Sequence, residues 1–308
     1  MIKVDLVTGF LGAGKTTFLM EYAKHFVAEG KKVAIIVNDY GAINVDRLLL
    51  HRELGDCCQL EMVIGGDKDC SRRRLKTKLI TMALEGYHQV LVEPSGLFEV
   101  EEFFDLLYED PLERWYERGN VLTVVEAAVD RNLSDFAKYI LATQVANAGT
   151  VVVSKCKHPN DVPALVEFME QCLAQFQCNQ KITSVYRWEQ GKMTEEEFRK
   201  LKSSGYRNAT LTKYSGMKDF DSVFFFHVET SVDTLEETLQ KLMNDSNAGN
   251  IFRIKGFLKT GEEWLEVNAT KTEISLQKSA VGQEVFIVIG EQLDKEYIGT
   301  YWTSYQNE

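Results

Sequence analysis

The residues from Gly9 to Thr17, GFLGAGKTT, fit the pattern Gly-x4-Gly-Lys-[Ser/Thr], whose residue types and spacing suit phosphate binding. In such a loop the backbone N–H groups point at one anion, and the start of the following helix adds partial positive charge. The lysine reaches the β- and γ-phosphates, and the hydroxyl after it is a ligand for Mg²⁺. The predicted phosphate-binding residues are Gly12, Ala13, Gly14, Lys15, Thr16 and Thr17. The pattern predicts binding of a nucleoside triphosphate with Mg²⁺; the alternative is a glycine turn with an incidental lysine.

The elements on either side of this loop have the form that it needs. Residues 3–7 are an apolar run that predicts a buried strand, and residues 16–29 predict a helix with Phe18, Tyr22 and Phe26 on one face. Further strands are predicted at 32–37, 59–64, 89–92, 121–125, 150–154 and 182–185, and helices at 71–84, 134–147 and 162–176. Strands separated by helices predict an α/β fold, a P-loop NTPase domain with a mostly parallel sheet.

The pattern changes in the C-terminal part of the chain. Strands there follow one another with few helices between them, which predicts a smaller α+β domain with a mainly antiparallel sheet. These strands are predicted at 223–230, 250–258, 263–268, 272–276 and 284–289, with a helix at 233–244 and another after Gly290. The predicted domains are therefore a P-loop nucleotide-binding domain at 1–186, a connector at 187–221 and the α+β domain at 222–308.

A second group of residues has the chemistry to complete a magnesium and γ-phosphate site. Glu93 follows the apolar strand at 89–92, at the strand end where open α/β sheets place their ligands. Gly96 offers a backbone N–H to the γ-phosphate, and Asp39 follows the predicted strand at 32–37. We expect Thr16, Asp39, Glu93 and Gly96 to form the Mg²⁺ and switch site. The alternatives are that Glu93 caps a turn and that Asp39 is a loop residue.

The composition limits the classes of partner. The net charge of −11 argues against nucleic acid as the main partner, because a phosphate backbone needs a basic face, so we expect no nucleic-acid partner. No apolar run approaches the ~20 residues of a membrane span, so we expect no membrane contact. Six cysteines in 308 residues do not form a disulfide framework, and the cytoplasm is the expected compartment.

The quoted motifs resemble those of the CobW family of metallochaperone-type GTPases, related to the urease and hydrogenase maturation GTPases. The segment from Asn38 to Gly41, with Asp46 after it, resembles the family's switch segment, and Glu93 to Leu97 resembles its Glu-x-x-Gly motif. Residues 144–155 resemble its run into the base-recognition loop, where Ser154 and Lys155 are the base-binding residues. The segments Phe252 to Gly256 and Ile289-Gly290 resemble its C-terminal domain. The resemblance implies a GTP-dependent protein that delivers a metal ion or metallocofactor to a client, a metallo- or corrinoid-protein.

The base-recognition loop departs from the family pattern. Lys157 stands where the family has an aspartate that accepts hydrogen bonds from guanine, and lysine can only donate. The nucleotide is therefore predicted to be GTP, with ATP left as an alternative. Asp161 is either a substitute acceptor or the cap of the helix that starts near residue 162.

The metal motif departs as well. The family has Gly-Cys-x-Cys-Cys where this chain has Gly66-Asp-Lys-Asp-Cys70, so two of three thiolates are replaced by carboxylates. Carboxylates favour harder cations than thiolates do. The two interpretations are a transition-metal site of Asp67, Asp69 and Cys70, and a solvated turn at a helix start.

Two hypotheses for the function follow. The first is a switch-type nucleoside triphosphatase, whose turnover is slow because the motifs include no arginine finger, so that a partner or a second copy of the chain completes the site. The second is a non-catalytic, nucleotide-regulated binding module that has lost metal transfer.

Overall fold

The computed structural model describes residues 1–39, 50, 53–55, 57–64, 68–216, 220–280 and 282–306. It divides into two compact units, Met1–Gly216 and Met217–Glu308. Among the described residues, no helix combines the length and the apolar character that crossing a membrane requires.

The first unit is built on a seven-stranded sheet with the order β3-β2-β4-β1-β5-β6-β7, in which every pair is parallel. Its strands are β1 Ile2–Gly9, β2 Val33–Asp39, β3 Cys58–Ile64, β4 Gln89–Glu93, β5 Tyr116–Glu126, β6 Thr150–Ser154 and β7 Val185–Arg187. Its helices are α1 Lys15–Ala28, α2 Lys68–Leu84, α3 Val100–Leu107, α4 Leu112–Trp115, α5 Asp135–Ala146, α6 Asp161–Gln175 and α7 Glu195–Leu201. The α/β architecture with a parallel sheet is as predicted.

Both faces of this sheet are covered, which explains why its strands read as continuous apolar runs. Along β2, Val33, Ile35 and Val37 join the core that contains Phe18 of α1, while the alternate residues join the core that contains α2 and α3. Successive side chains of a strand point to opposite faces, so a strand buried on both sides needs apolar residues throughout.

Two parts of the first unit differ from the sequence prediction. Helices α3 and α4 fall between the strands predicted at 89–92 and 121–125, where we predicted no element. The predicted connector is for the most part packed within the first unit, because Phe198 of α7 is buried against Tyr22 and Phe26 with ring centroids 5.5 and 5.0 Å apart. Four apolar residues in this charged stretch, Trp188, Met193, Phe198 and Leu201, supply the burial.

The second unit is an antiparallel sheet with the order β11-β10-β9-β12-β8-β13. Its elements are β8 Phe220–Glu229, α8 Val232–Asn244, β9 Asn250–Thr260, β10 Glu263–Ala269, β11 Ile274–Ser279, β12 Val285–Glu291, α9 Lys295–Gly299 and β13 Ser304–Gln306. Leu235, Leu239 and Leu242 of α8 pack in one core with residues of β8, β9 and β12. This is the predicted α+β arrangement, with β13 as an additional strand at the sheet edge.

Candidate functional site

The loop after β1 has a backbone that only glycine allows at its first position. Gly9 has a φ of 144°, and a Cβ there would lie 2.0 Å from the carbonyl oxygen of Val124 in β5. Gly14, with a φ of 88°, is the N-cap of α1 and has no side chain to cap the helix. The first N–H groups of α1 have no acceptor within the helix, so they are donors for an anion at this end.

Lys15 and Thr16 open helix α1 and turn their polar atoms toward the loop and the sheet. The Lys15 ammonium donates to the carbonyl oxygen of Phe10 at 3.3 Å, across the loop. The Thr16 hydroxyl donates to Oε1 of Glu93 at 2.9 Å. Glu93 is the buried last residue of β4, which pairs in parallel with β1. The hydroxyl and the carboxylate provide hard oxygen ligands of the kind that Mg²⁺ prefers, so these residues fit that ion.

Gly96 lies directly against the phosphate loop. A Cβ on Gly96 would meet the Leu11 side chain at 2.7 Å and the Leu11 backbone nitrogen at 2.9 Å, so a larger residue could not approach this closely. The structure therefore brings together Lys15, Thr16, Glu93 and Gly96.

Asp39 is the last residue of β2, and its side chain lies outside the described residues. Within β2, Val37 is opposite Glu93 of the neighbouring β4. The backbone of Asp39 is thus two residues beyond Glu93 at the same edge of the sheet. Its role in the switch site stays a prediction.

The base-recognition loop begins at the end of β6. Ser154 is buried and donates to the carbonyl oxygen of Ala13 at 2.6 Å, so its side chain holds the phosphate loop. Lys155 has a φ of 50°, and its ammonium lies 3.5 Å from Oε2 of Glu126 at the end of β5. This contact places the lysine between two parallel strand ends, where its methylene stem can cover a base.

Lys157 and Asp161 differ in how firmly they are held. The Lys157 side chain is exposed. Asp161 is the first residue of α6, and its carboxylate accepts from the backbone N–H of His158 at 2.9 Å. Of the two interpretations of Asp161, this contact supports a structural role at the helix start.

Trp188 is a residue of this site that sequence reasoning missed. It follows β7, is buried, and has a ring atom 3.6 Å from where a Cβ on Gly14 would lie. Its Nε1–H donates to Oε2 of Glu21 at 2.9 Å, and Glu21 also accepts from the backbone N–H of Met193 at 2.7 Å. Glu21 of α1 therefore fixes this segment beside the phosphate loop. The last strand predicted in this unit, at 182–185, forms instead at Val185–Arg187. The isolated tryptophan three residues beyond the predicted strand was the available signal.

The predicted transition-metal site lies mostly outside the described residues. Asp67 is not described, and neither is the side chain of Asp69. Cys70 is exposed in the first turn of α2. In the part of the chain that the structure covers, no three His, Cys, Asp or Glu side chains come together as a metal-binding cluster. The metal site stays a prediction.

Comparison with known proteins assigns both units to described domain families. The model of the CobW/HypB/UreG nucleotide-binding domain matches residues 3–184, and that of the cobalamin synthesis protein CobW C-terminal domain matches residues 222–304. The zinc chaperone YeiR of Escherichia coli (strain K12) is 27% identical over 175 residues, which are 56% of this chain and 52% of YeiR. The zinc chaperone YjiA of the same organism is 27% identical over 198 residues, 60% of this chain and 57% of YjiA. The chain thus aligns with little more than half the length of these relatives.

Among solved structures, the chain is similar to the crystal structure of Zn(II)-bound YjiA GTPase from E. coli. The match spans 97% of each of the two chains, with 19% sequence identity and a TM-score of 0.41. The nucleotide-binding domain model alone accounts for residues 3–184 of the 308, which is more than half of the chain. The chain therefore belongs to the CobW/HypB/UreG family of nucleotide-binding proteins.

Proposed function

We propose that the chain binds a Mg²⁺–nucleoside triphosphate at the phosphate loop and hydrolyses it slowly to drive a conformational switch. The observation that carries this proposal is the 2.9 Å hydrogen bond between the Thr16 hydroxyl and the Glu93 carboxylate. It joins the first turn of α1 to the end of β4, directly beside the loop. A threonine and a carboxylate in this arrangement are the two protein groups that hold Mg²⁺ and its water ligands in phosphate-loop enzymes.

Each residue has a role that follows from its position. The N–H groups at the start of α1 and the Lys15 ammonium bind the phosphate oxygens and stabilise the charge that develops there. Thr16 and Glu93 would hold Mg²⁺, which would supply positive charge to neutralise the phosphate oxygens. The Gly96 N–H, close to Leu11 of the loop, contacts the γ-phosphate and is released when that group leaves. Asp39 acts from the end of β2.

The proposed nucleotide is GTP, recognised with weak base selection. YjiA is described as a GTPase, and this chain shares its family. Lys155 supports the base, but exposed Lys157 offers only donors to the edge of guanine that itself donates. ATP is therefore expected to compete with GTP.

The proposed cargo is a transition-metal ion that the chain passes to a client metalloprotein. The description of two relatives as zinc chaperones supports this proposal. The ligands would be Cys70 with Asp67 and Asp69. Loss of the γ-phosphate would couple the state of the nucleotide to metal release.

Release of inorganic phosphate from GTP and from ATP tests the enzymatic part of this proposal. We expect slow, Mg²⁺-dependent release that falls at least a hundredfold in Lys15→Ala, because the lysine stabilises the transferred phosphoryl group. Lys24→Ala is the matched control, since Lys24 lies on the same helix but is half exposed and paired with Glu53. Release by the parent chain no faster than by Lys15→Ala would favour the non-catalytic binding module, for which the donor-only Lys157 is the supporting feature.

A further inference from the structure

Gln144 is a glutamine of α5 with no exposed surface, and its amide reaches the turn that contains Gly96. Its Nε2 donates to the carbonyl oxygen of Gly96 at 3.0 Å and to that of Phe98 at 3.4 Å. The two carbonyl acceptors determine which end of the amide faces the turn, because the amide oxygen would be repelled there.

The turn itself is small and is held on its other side by the phosphate loop. The backbone N–H of Phe98 donates to the carbonyl oxygen of Ser95 at 3.2 Å, which closes a turn over residues 95–98. Gly96 packs on Leu11, whose backbone nitrogen would be 2.9 Å from a Cβ on the glycine. The turn is therefore clamped between the phosphate loop and Gln144.

A buried glutamine at this position is less favourable in free energy than an apolar residue would be if its role were only to fill space. Its main-chain carbonyl accepts from the buried Thr123 hydroxyl at 2.8 Å, which ties this part of α5 to β5. Its Oε1 is buried without a hydrogen-bond partner among the residues that the structure describes. Burying an amide with one end unsatisfied is unfavourable compared with an apolar side chain of similar volume. The amide at this position is thus explained by what Nε2 does to the turn.

We propose that Gln144 is a positioning residue that orients the 95–98 turn. In this orientation the Gly96 N–H distinguishes a nucleoside triphosphate from a diphosphate. The inference rests on the proposed function, since it assigns Gly96 to the γ-phosphate. Gln144 makes no contact with the nucleotide in this proposal. It fixes the carbonyls of Gly96 and Phe98. The Gly96 N–H shares its peptide plane with the Ser95 carbonyl, which accepts from the Phe98 N–H, so holding Gly96 and Phe98 in place also holds that plane.

The consequence is a selective effect on the γ-phosphate. In this proposal the two phosphates of a nucleoside diphosphate contact the phosphate loop and the start of α1. Among the described residues, the Gln144 amide donates to Gly96 and Phe98 and not to that loop or helix. Loss of the amide donor should therefore leave diphosphate affinity as it is and weaken triphosphate binding and turnover.

The test uses the full chain with Gln144→Met, which keeps the length of the side chain and removes the donor. The dissociation constants of GDP and of a non-hydrolysable GTP analogue are measured with Mg²⁺, together with kcat. We expect the GDP constant to stay within about twofold of the parent, and the preference for the analogue to fall at least tenfold, about 1.4 kcal/mol. Gln171→Met is the control, because Gln171 is exposed on α6 and its amide makes only a 3.5 Å contact with Glu167.

Other outcomes distinguish the positioning role of Gln144 from the proposed nucleotide switch on which it rests. An unchanged preference in Gln144→Met, or equal weakening of both nucleotides, overturns the positioning role. Gln144→Leu is the second variant, since an apolar side chain suits the buried site; if both variants unfold, Gln144 is a core residue and the inference fails. A parent chain that binds both nucleotides equally contradicts the proposed switch itself.

Discussion

The base-recognition loop shows what one residue changes in an otherwise intact site. Ser154 is tied to the phosphate loop through Ala13, and Lys155 is held beside Glu126, so the frame of the loop is in place. Lys157 puts a donor where the family pattern has an acceptor. Base discrimination depends on pairing the substrate's polar groups, so we expect weak selection of guanine if residue 157 faces the base.

We expect Lys157→Asp to raise the preference for GTP over ATP at least tenfold, because a carboxylate accepts from both donors of the guanine edge. Competition of GTP and ATP for the apo protein measures this ratio. Lys157→Ala is the control, since it removes the positive charge without adding an acceptor. Equal ratios in the Asp and Ala variants would show that residue 157 does not face the base.

The local motifs could be predicted from the sequence, whereas the residues that support them could not. Lys15, Thr16, Glu93 and Gly96 belong to short patterns whose backbone geometry fixes their chemistry. Gln144 acts on carbonyls that lie 46 and 48 residues away in the chain. The sequence around Gln144 does not identify these partners, because they become neighbours only in the folded chain.

At the scale of elements, the candidate site residues lie at the carboxyl edge of the parallel sheet. The segment after β7 packs into the same unit. Asp5 in β1 accepts from the Tyr22 hydroxyl and from the Asn120 backbone N–H, both at 2.8 Å. Burial raises the pKa of Asp5, and these hydrogen bonds oppose that shift. Asn120 in turn accepts from the backbone N–H of Gly205 at 2.8 Å, so residues after β7 belong to this buried network.

The boundary of the nucleotide-binding domain follows from these contacts. We expect a fragment of residues 1–216 to fold, and a fragment of residues 1–186 to be unfolded or aggregated at room temperature. The shorter fragment lacks five buried apolar residues, Trp188, Met193, Phe198, Leu201 and Leu211. Each is worth roughly 1.5–3 kcal/mol, and their sum is comparable to the whole stability of a domain. Thermal melting followed by circular dichroism compares the two. Melting of the short fragment within a few degrees of the long one would restore the boundary at 186.

Most of the segment predicted as a connector lies in the first unit, and the charged helical piece predicted at 193–203 forms a short helix there. Helix α7 spans only Glu195–Leu201, and Phe198 and Leu201 are its buried residues among charged neighbours. About two turns of helix give too few apolar positions to show from the sequence which face is buried. The long strands of both units had no such ambiguity, since their apolar runs are several residues long.

At the scale of the whole molecule, each unit has a hydrophobic core of its own, and the candidate site residues described above belong to the first unit. The second unit is an antiparallel sheet with α8 on it, which the comparisons identify as the family's C-terminal domain. The net charge of −11 is consistent with anion binding at a defined loop and not on a broad basic surface.

The most direct test of the account is equilibrium binding of nucleotides to the apo protein, with a fluorescent GTP analogue displaced by GTP, GDP, ATP and ADP. The account predicts Mg²⁺-dependent triphosphate binding, a GTP-to-ATP ratio below about tenfold (about 1.4 kcal/mol), and displacement abolished in Lys15→Ala. Binding that is equally strong in Lys15→Ala, or no displacement by any of the four nucleotides, would contradict it.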